Sequence, residues 1–268
     1  MIIYLIQAVV YDAPKPGKSR RLPKAKPMTI AIGFRANDGV LICADMQKTV
    51  GEMKTYDGKI EEIIFHSKSR LTLAIVGSGY DDYIQTARQA LTADFPADIP
   101  ANDLKQELRT RLLEFWKEHL LPWPEAERPQ LELLVGATGK DMAPRLFHYS
   151  GTAFSEVSAK AIGLGVLLAQ DLINRYRPKT YELEQLARIA MFIVSRVKDG
   201  VEGCGGPTHL TALRKADVGY CEYDQIITLE EEFEKIQREF DEAMVERIGG
   251  DTAKVIRWMG EISKKKEL

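Results

Sequence analysis

The chain alternates between short runs of β-forming residues and longer stretches in which apolar residues recur at helical spacing. The first two runs are separated by Asn37-Asp38-Gly39, a strong hairpin signal. The predicted elements, in chain order, are strands 29–36, 39–45, 61–67 and 70–79, helices 80–95 and 101–120, strands 131–139, 144–151 and 152–159, helices 165–176 and 181–200, and a closing hairpin within 209–223. The second half of the chain thus repeats the order of the first.

This order of strands, helices, strands, helices and strands predicts an α+β fold. Antiparallel sheets with helices on their outer faces can bury their inner faces against each other, so we expect a four-layer αββα sandwich of two antiparallel sheets. The second helix follows two cap candidates, Asn102 and Asp103, and carries Glu107 in its first turn. We therefore expect a side-chain cap at its N-terminus.

Composition shifts divide the chain into three parts. Residues 1–28 begin with about ten apolar positions, followed by prolines and basic residues, an order that suits neither a signal peptide nor a membrane span. We interpret this segment as a flexible N-terminal extension that is absent from, or removed in, the mature protein. Residues 29–222 form the predicted globular domain. Residues 223–268 are charged and helical in pattern, which allows a helix that packs on a neighbour or one that lies solvated, and of the two we expect the solvated one.

Charge and cysteine content narrow the partners and the compartment. Among 268 residues, 37 are basic and 39 acidic, so no net field favours binding to nucleic acid or to an anionic membrane. The three cysteines Cys43, Cys204 and Cys221 are an odd number without metal-ligand spacing, which fits a reducing compartment. We therefore expect a cytoplasmic protein whose partners are small or peptide-like.

Cofactor and metal signatures are not found in the sequence. The Gly77-Ser78-Gly79 stretch lacks the Lys-Ser/Thr of a phosphate-binding loop, and the glycines at 163–165 lack the context of a dinucleotide site. The four histidines, at 66, 119, 148 and 209, are scattered and lack the company of other ligands. We expect neither a cofactor nor a metal ion.

The candidate chemistry is concentrated at the start of the predicted domain. Thr29 follows Met28 at the head of the first strand, and Asp45 closes the second strand sixteen positions later. Lys59 follows a loop that contains Gly51, with Lys48 and Lys54 as alternatives in the same loop. A Ser-Gly turn that ends at Gly79 follows an apolar strand and precedes the first helix.

This combination resembles the start of the proteasome-type N-terminal nucleophile hydrolases, and among these the bacterial Anbu and HslV-type peptidases. The resemblance covers roughly residues 29–220 and includes the order of strands and helices. It implies that Thr29 is the nucleophile, that Asp45 and Lys59 assist it, and that Gly79 binds substrate and the oxyanion. It also implies a peptide or unfolded-protein substrate, a ring or spiral of identical subunits, and a separate ATP-dependent unfoldase as a possible partner.

The chemistry of these residue types agrees with those roles. A threonine hydroxyl needs a base to accept its proton, and an α-amine with a pKa of about 7.7–8.0 can serve near neutral pH. A nearby ammonium would lower the pKa of that amine, and a carboxylate would keep the lysine charged and oriented. A backbone N–H at Gly79 would stabilise the developing oxyanion.

Two positions depart from the family pattern. Leu164 stands where the family carries a serine that supports the nucleophile's amine. A family aspartate and a following serine near the end of the fourth helix correspond to Asp199 and to either Glu202 or Cys204. We therefore include Asp199 among the predicted catalytic residues and leave the position of the second residue open.

The mechanism requires a free amine at Thr29. A chain that started at Met28 would expose Thr29 after ordinary removal of the methionine, whereas a chain that started at Met1 would have to cleave the 28–29 bond itself. We expect the first. The alternative hypotheses are a catalytically inactive proteasome-like structural subunit that never frees Thr29 and, in an unrelated class, a soluble binding module.

Overall fold

The computed structural model describes residues 29–50, 53–65, 70–96, 98–176, 182–214 and 217–220, together with residues 227–236, 238–239 and 242–243 of the C-terminal part. The predicted N-terminal extension, residues 1–28, lies outside these ranges, as does most of the predicted C-terminal extension, residues 223–268. Within the described ranges, no helix is long and apolar enough to cross a membrane.

The described strands and helices follow the predicted order, with two additions. The strands are β1 (Ile30–Arg35), β2 (Gly39–Asp45), β3 (Gln47–Val50), β4 (Met53–Tyr56), β5 (Ile60–Ile64), β6 (Thr72–Gly79), β7 (Leu131–Gly139), β8 (Met142–Ser150), β9 (Ala153–Val157), β10 (Ala159–Gly163), β11 (Thr208–Arg214) and β12 (Asp217–Tyr220). The α-helices are α1 (Asp81–Thr92), α2 (Leu104–Phe115), α3 (Val166–Tyr176) and α4 (Leu183–Gly200). One π-helical turn, Trp116–Leu120, extends α2.

Ten of these strands form two five-stranded antiparallel sheets. The first sheet has the order β10-β1-β2-β11-β12, and the second has the order β5-β6-β7-β8-β9. In the first sheet, Ala31 pairs with Ala44 and Thr208 pairs with Asp45. The first residues of β1 and the last residues of β2 therefore lie side by side at the same end of the first sheet.

The fold has four layers, and a cluster of buried apolar residues lies between each layer and the next. Residues on alternate positions of β1, such as Ile30 and Ile32, pack against α3 and α4, whereas Ala31 packs against the second sheet. The second sheet packs its other face on α1 and α2, where Leu91 and Leu108 are buried. Because strands have a period of two, each strand in the centre of the sandwich buries both faces. The predicted four-layer αββα sandwich is confirmed.

Three strands were not predicted from the sequence, and one predicted helix cap is not found. The hairpin of β3 and β4 was not predicted, and neither was β10, which pairs with β1. Asp103 precedes α2 with helical backbone angles and makes no side-chain cap hydrogen bond, so the predicted cap is wrong. Glu107 instead pairs with Arg111 at 2.6 Å.

The helix at residues 227–236 of the C-terminal part packs on the domain. Residues 227–236 are helical, and Leu229 and Phe233 pack against the cluster beneath α4. The Phe233 ring meets the Phe192 ring edge to face, with 5.7 Å between centroids. The expectation of a solvated helix is therefore wrong for this side of residues 227–236, because apolar residues four apart give the helix a buried stripe.

Candidate active site

The fold brings Thr29, Asp45 and Lys59 together from different elements. Thr29 immediately precedes β1, Asp45 ends the neighbouring strand β2, and Lys59 immediately precedes β5 of the other sheet. The backbone N–H of Ile30 donates to Asp45 Oδ1 at 3.1 Å, which fixes the carboxylate beside the start of β1. The site is therefore located where the two sheets face each other.

Lys59 contacts both of the other side chains. Its Nζ donates to Asp45 Oδ1 at 2.7 Å and to Thr29 Oγ1 at 3.2 Å. The side chains of Lys59 and Asp45 are 6% and 0% exposed, so this ion pair is shielded from solvent. A buried charge pair needs good geometry and further hydrogen bonds, and both are present here.

Burial lowers the pKa of the Lys59 ammonium from its ordinary value. The charge and hydrogen bond of Asp45 partly offset this effect, because a nearby carboxylate favours the charged form of the lysine. The ammonium beside the Thr29 hydroxyl therefore loses its proton at a lower pH than the ammonium of a surface lysine does. Such a group can polarise the hydroxyl and stabilise negative charge on its oxygen.

The second carboxylate oxygen of Asp45 is held by a loop that is distant in sequence. Gly205, between α4 and β11, donates its N–H to Asp45 Oδ2 at 3.1 Å. The loop is itself tied to β3, because Gln47 N–H donates to Gly205 O at 3.0 Å. Sequence reasoning missed this contact; the glycines flanking Cys204 were its only local signal.

Arg88 supports Lys59 from helix α1. Its buried guanidinium donates through Nη2 to the carbonyl oxygen of Lys59 and, at 3.2 Å, to that of Ile75. Its Nε has no hydrogen-bond partner in the described part of the chain and lies 3.5 Å from Glu61 Oε2. An arginine on the otherwise apolar face of α1 was the available sequence signal.

The two alternative lysines lie elsewhere. Lys48 Nζ donates to Asp57 Oδ2 at 2.9 Å and lies 4.0 Å from Asp81, outside the Thr29–Asp45 pair. The Lys54 side chain is exposed to solvent. Among the three lysines considered, the geometry therefore favours Lys59.

The turn between β10 and α3 lies against the backbone of Thr29. Leu164 donates its N–H to Thr29 O at 2.8 Å. Gly163 has φ +100°, and a Cβ there would lie 1.8 Å from Thr29 O and 3.1 Å from Ser78 Oγ. Only glycine fits such an approach. The Ser-Gly turn predicted to bind substrate therefore ends next to the same point.

The backbone of Gly79 also requires glycine. Its φ is +144°, and a Cβ would lie 2.4 Å from the carbonyl oxygen of Gln130. Gly79 ends β6, opposite Leu131 of β7. The conformation explains the residue type, and the role of its N–H at an oxyanion stays a prediction.

Comparisons with known proteins bear on the fold. No model of a known protein family matches the chain, and no curated protein matches it. Among solved structures, a Gly-1 mutant of Anbu from Hyphomicrobium sp. strain MC1 superposes with a TM-score of 0.65 at 14% identity, covering 81% of this chain and 99% of that one. The chain has the Anbu fold.

Two further Anbu structures give the same result. Anbu from Yersinia bercovieri, described as an ancestral beta-subunit, has a TM-score of 0.63 at 14% identity over 79% of this chain and 96% of that one. The Anbu complex of Pseudomonas aeruginosa, described as a helical assembly, has a TM-score of 0.63 at 14% identity over 82% and 95%. At such identity the likeness concerns the fold and does not by itself transfer an activity.

Within this Anbu fold, Asp199 lies apart from Thr29, Asp45 and Lys59. It occupies the last turn of α4, is 51% exposed, and pairs with Arg196 at 3.7 Å. In the described ranges it makes no hydrogen bond or ion pair with Thr29, Asp45 or Lys59. Its predicted catalytic role stays a prediction, and the contacts of Asp199 do not add to the case for it.

Glu202 and Cys204 were the two candidates for the residue that follows the family aspartate, and of these Cys204 is the one near Asp45 and Lys59. Glu202 is exposed, whereas the Cys204 side chain is buried. Burial and the nearby Asp45 raise the pKa of the Cys204 thiol to about 11, and Lys59 and the N–H of Gly165 oppose the rise. The thiol is therefore protonated at neutral pH and is poorly suited to be a nucleophile.

Leu164 supplies no hydroxyl to the site. Its side chain packs against the cluster between the first sheet and its helices, while its backbone N–H binds Thr29 O. The backbone of this turn therefore still positions Thr29, although the side chain cannot support the amine.

Proposed function

We propose that this chain is a proteasome-like threonine peptidase that hydrolyses peptide bonds with Thr29 as an N-terminal nucleophile. The observation that carries the proposal is the 3.2 Å contact from Lys59 Nζ to Thr29 Oγ1, with Lys59 held at 2.7 Å by a fully buried Asp45. A buried lysine whose pKa is lowered, set against a hydroxyl, is an arrangement that functional sites favour.

The reaction would begin with proton transfer from the Thr29 hydroxyl to its own α-amine, while Oγ1 bonds to the carbonyl carbon of the substrate. The lysine ammonium stabilises the charge on Oγ1, and a backbone N–H at Gly79 accommodates the oxyanion. The C–N bond then breaks, the leaving amine takes the proton, and an ester on Thr29 remains. The same α-amine then accepts a proton from a water molecule as the water oxygen bonds to the carbonyl carbon of the ester. The ester C–O bond breaks, the acid is released, and the amine returns the proton to Oγ1, which regenerates the hydroxyl.

This mechanism requires that no peptide bond joins Thr29 to residue 28 in the mature protein. Removal of Met28 from a chain started there, or cleavage of the 28–29 bond, would expose the amine. A peptide-bonded nitrogen lacks the lone pair needed to accept the hydroxyl proton. The free amine is thus part of the proposal itself.

The proposed substrates are peptides or unfolded chains, and the proposed setting is a cytoplasmic assembly of identical subunits in a ring or spiral. The helical assembly described for the Pseudomonas aeruginosa Anbu complex supports the second point through the shared fold. Feeding by an ATP-dependent unfoldase would require a separate protein.

Replacement of the nucleophile tests the proposal. Hydrolysis of an unfolded protein and of a panel of fluorogenic peptides is compared in wild type, Thr29→Ala and Thr29→Ser. Thr55→Ala, at an exposed position, is the matched control. Alanine should remove hydrolysis, serine should retain part of it, and the control should match wild type. Undiminished hydrolysis by Thr29→Ala would reject the proposal.

A further inference from the structure

The helix at residues 227–236 is attached to the domain by an ion pair beneath its apolar contacts. Glu230 Oε1 lies 2.5 Å from Lys198 Nζ, and each side chain is only 13% exposed. Leu229 and Phe233, on the same side of the helix, pack against the cluster beneath α4. The helix therefore brings a shielded carboxylate to the last turn of α4.

Lys198 uses its ammonium to bind the loop that follows α4. Besides Glu230, Nζ donates to Gly206 O at 3.0 Å and to Thr208 Oγ1 at 3.1 Å. The Thr208 hydroxyl in turn donates to Glu230. An ammonium has three protons to donate, and all three have acceptors here. Helix, loop and strand β11 thus meet at one cation.

Both ends of this cluster lead to Asp45. Thr208 is the register partner of Asp45 between β11 and β2. Gly206 directly follows Gly205, whose N–H donates to Asp45 Oδ2 at 3.1 Å. The same carboxylate holds Lys59 through its other oxygen at 2.7 Å. Polar contacts on both sides of the Gly205–Gly206 peptide, linked by that stretch of backbone, therefore run from Glu230 to the lysine beside Thr29.

The loop is rich in glycine, so its order depends on hydrogen bonds such as these and on those that Gln47 N–H and Met46 N–H donate to Gly205 O and Pro207 O. Gly203 and Gly206 have φ values of +98° and +72°, and glycine-rich backbone loses much conformational freedom when it is ordered. Without the Glu230 carboxylate, the Lys198 ammonium would be left shielded and without its counter-charge, which favours its withdrawal toward water. Gly206 O and Thr208 would then lose their donor.

The geometry points to Lys198 and Glu230 as positioning residues of the threonine site, and to helix 227–236 as the support that holds the Gly205 N–H on Asp45. The inference deepens the proposed function and rests on it for its kinetic consequence. The hydrogen-bond consequence for the loop does not depend on any activity. One experiment addresses each part.

Hydrogen exchange at the Gly205 amide tests the positioning of the loop directly. The full chain is compared with Glu230→Gln and with Lys198→Met, and Glu231→Gln, an exposed neighbour on the same helix, is the control. Both cluster variants should speed exchange at Gly205 about tenfold or more while amides in β6 and β7 stay unchanged. Exchange at Gly205 equal to wild type in both variants, with the fold intact, would overturn the inference.

Peptide hydrolysis tests the consequence for the site. Because a small displacement of a reacting group is costly, kcat per titrated Thr29 should fall about tenfold or more in Glu230→Gln with KM nearly unchanged. Lys198→Arg, which keeps a cation and several donors, should retain more activity than Lys198→Met. A purely structural role would lower the titrated fraction and leave kcat per site intact, which would overturn the kinetic part. Absence of hydrolysis in wild type would reject the proposed function, and the exchange result alone would then decide the positioning role.

Discussion

Lys59 Nζ lies 3.2 Å from Thr29 Oγ1, although the two residues are 30 positions apart and border strands of different sheets. Thr29 immediately precedes β1 of the first sheet, and Lys59 immediately precedes β5 of the second. Their contact therefore depends on how the two sheets face each other. The geometry of the hydroxyl is a property of the whole sandwich and of no single loop.

The Lys59–Asp45 pair should be strongly coupled. Lys59→Met and Asp45→Asn each leave a buried partner without its counterpart, so each should lower the free energy of unfolding by about 3 kcal/mol. The double variant leaves no unpaired charge, and its cost should fall short of the sum by about 1 kcal/mol or more. Urea unfolding of the four proteins measures the coupling.

Lys54→Met is the control for that cycle, because Lys54 is exposed and its replacement should change stability by about 0.5 kcal/mol at most. Strict additivity of Lys59→Met and Asp45→Asn would contradict the pairing on which the site depends.

The close approach of Gly163 to Thr29 makes a second prediction. Gly163→Ala should lower the stability of the fold far more than Gly151→Ala does, although both glycines have positive φ values, +100° at Gly163 and +61° at Gly151. A Cβ at 163 would meet Thr29 O at 1.8 Å, whereas a Cβ at 151 meets nothing within 4 Å. Thermal unfolding should show Gly151→Ala losing about 1 kcal/mol from its backbone alone and Gly163→Ala losing at least twice that. Equal losses would contradict the close packing of this turn on Thr29.

The buried thiol of Cys204 gives a prediction on pH. Its pKa is raised from 9.0 to about 11 in the folded protein, so the folded state holds its proton more tightly than the unfolded chain. The stabilisation is fully present below pH 9.0 and is lost as the pH rises toward about 11. The free energy of unfolding should therefore fall more steeply over that window in wild type than in Cys204→Ala, and parallel curves for the two proteins would refute the raised pKa.

Local patterns in the sequence predicted the central strands well. The bounds of β2 and β7 match the predicted runs, because strands buried on both faces are uninterrupted apolar segments bounded by turn residues. The β3–β4 hairpin, by contrast, mixes polar and apolar residues without a long apolar run, and Lys54, Thr55 and Tyr56 of β4 are exposed. Such residues leave no periodic apolar signal. Strand β10 was missed because its pairing with β1 depends on the tertiary fold.

The candidate site shows the same division. Thr29, Asp45 and Gly79 could be chosen because their order at strand ends resembles that of the proteasome-type hydrolases. Lys59 was one of three candidate lysines until the structure separated them. The Gly205 N–H is 160 positions from Asp45, and no local pattern links them. Arg88 and Lys198 act from helices, where a charged residue on a partly apolar face is ordinarily a surface feature.

Mass determination of the N-terminal peptide, on protein made in cells from the native gene, tests the central claim most directly. The account predicts a mature chain whose first residue is Thr29 with an unmodified α-amine, able to accept the proton of its own hydroxyl. A chain in which Met28 remains joined to Thr29 by a peptide bond would contradict it.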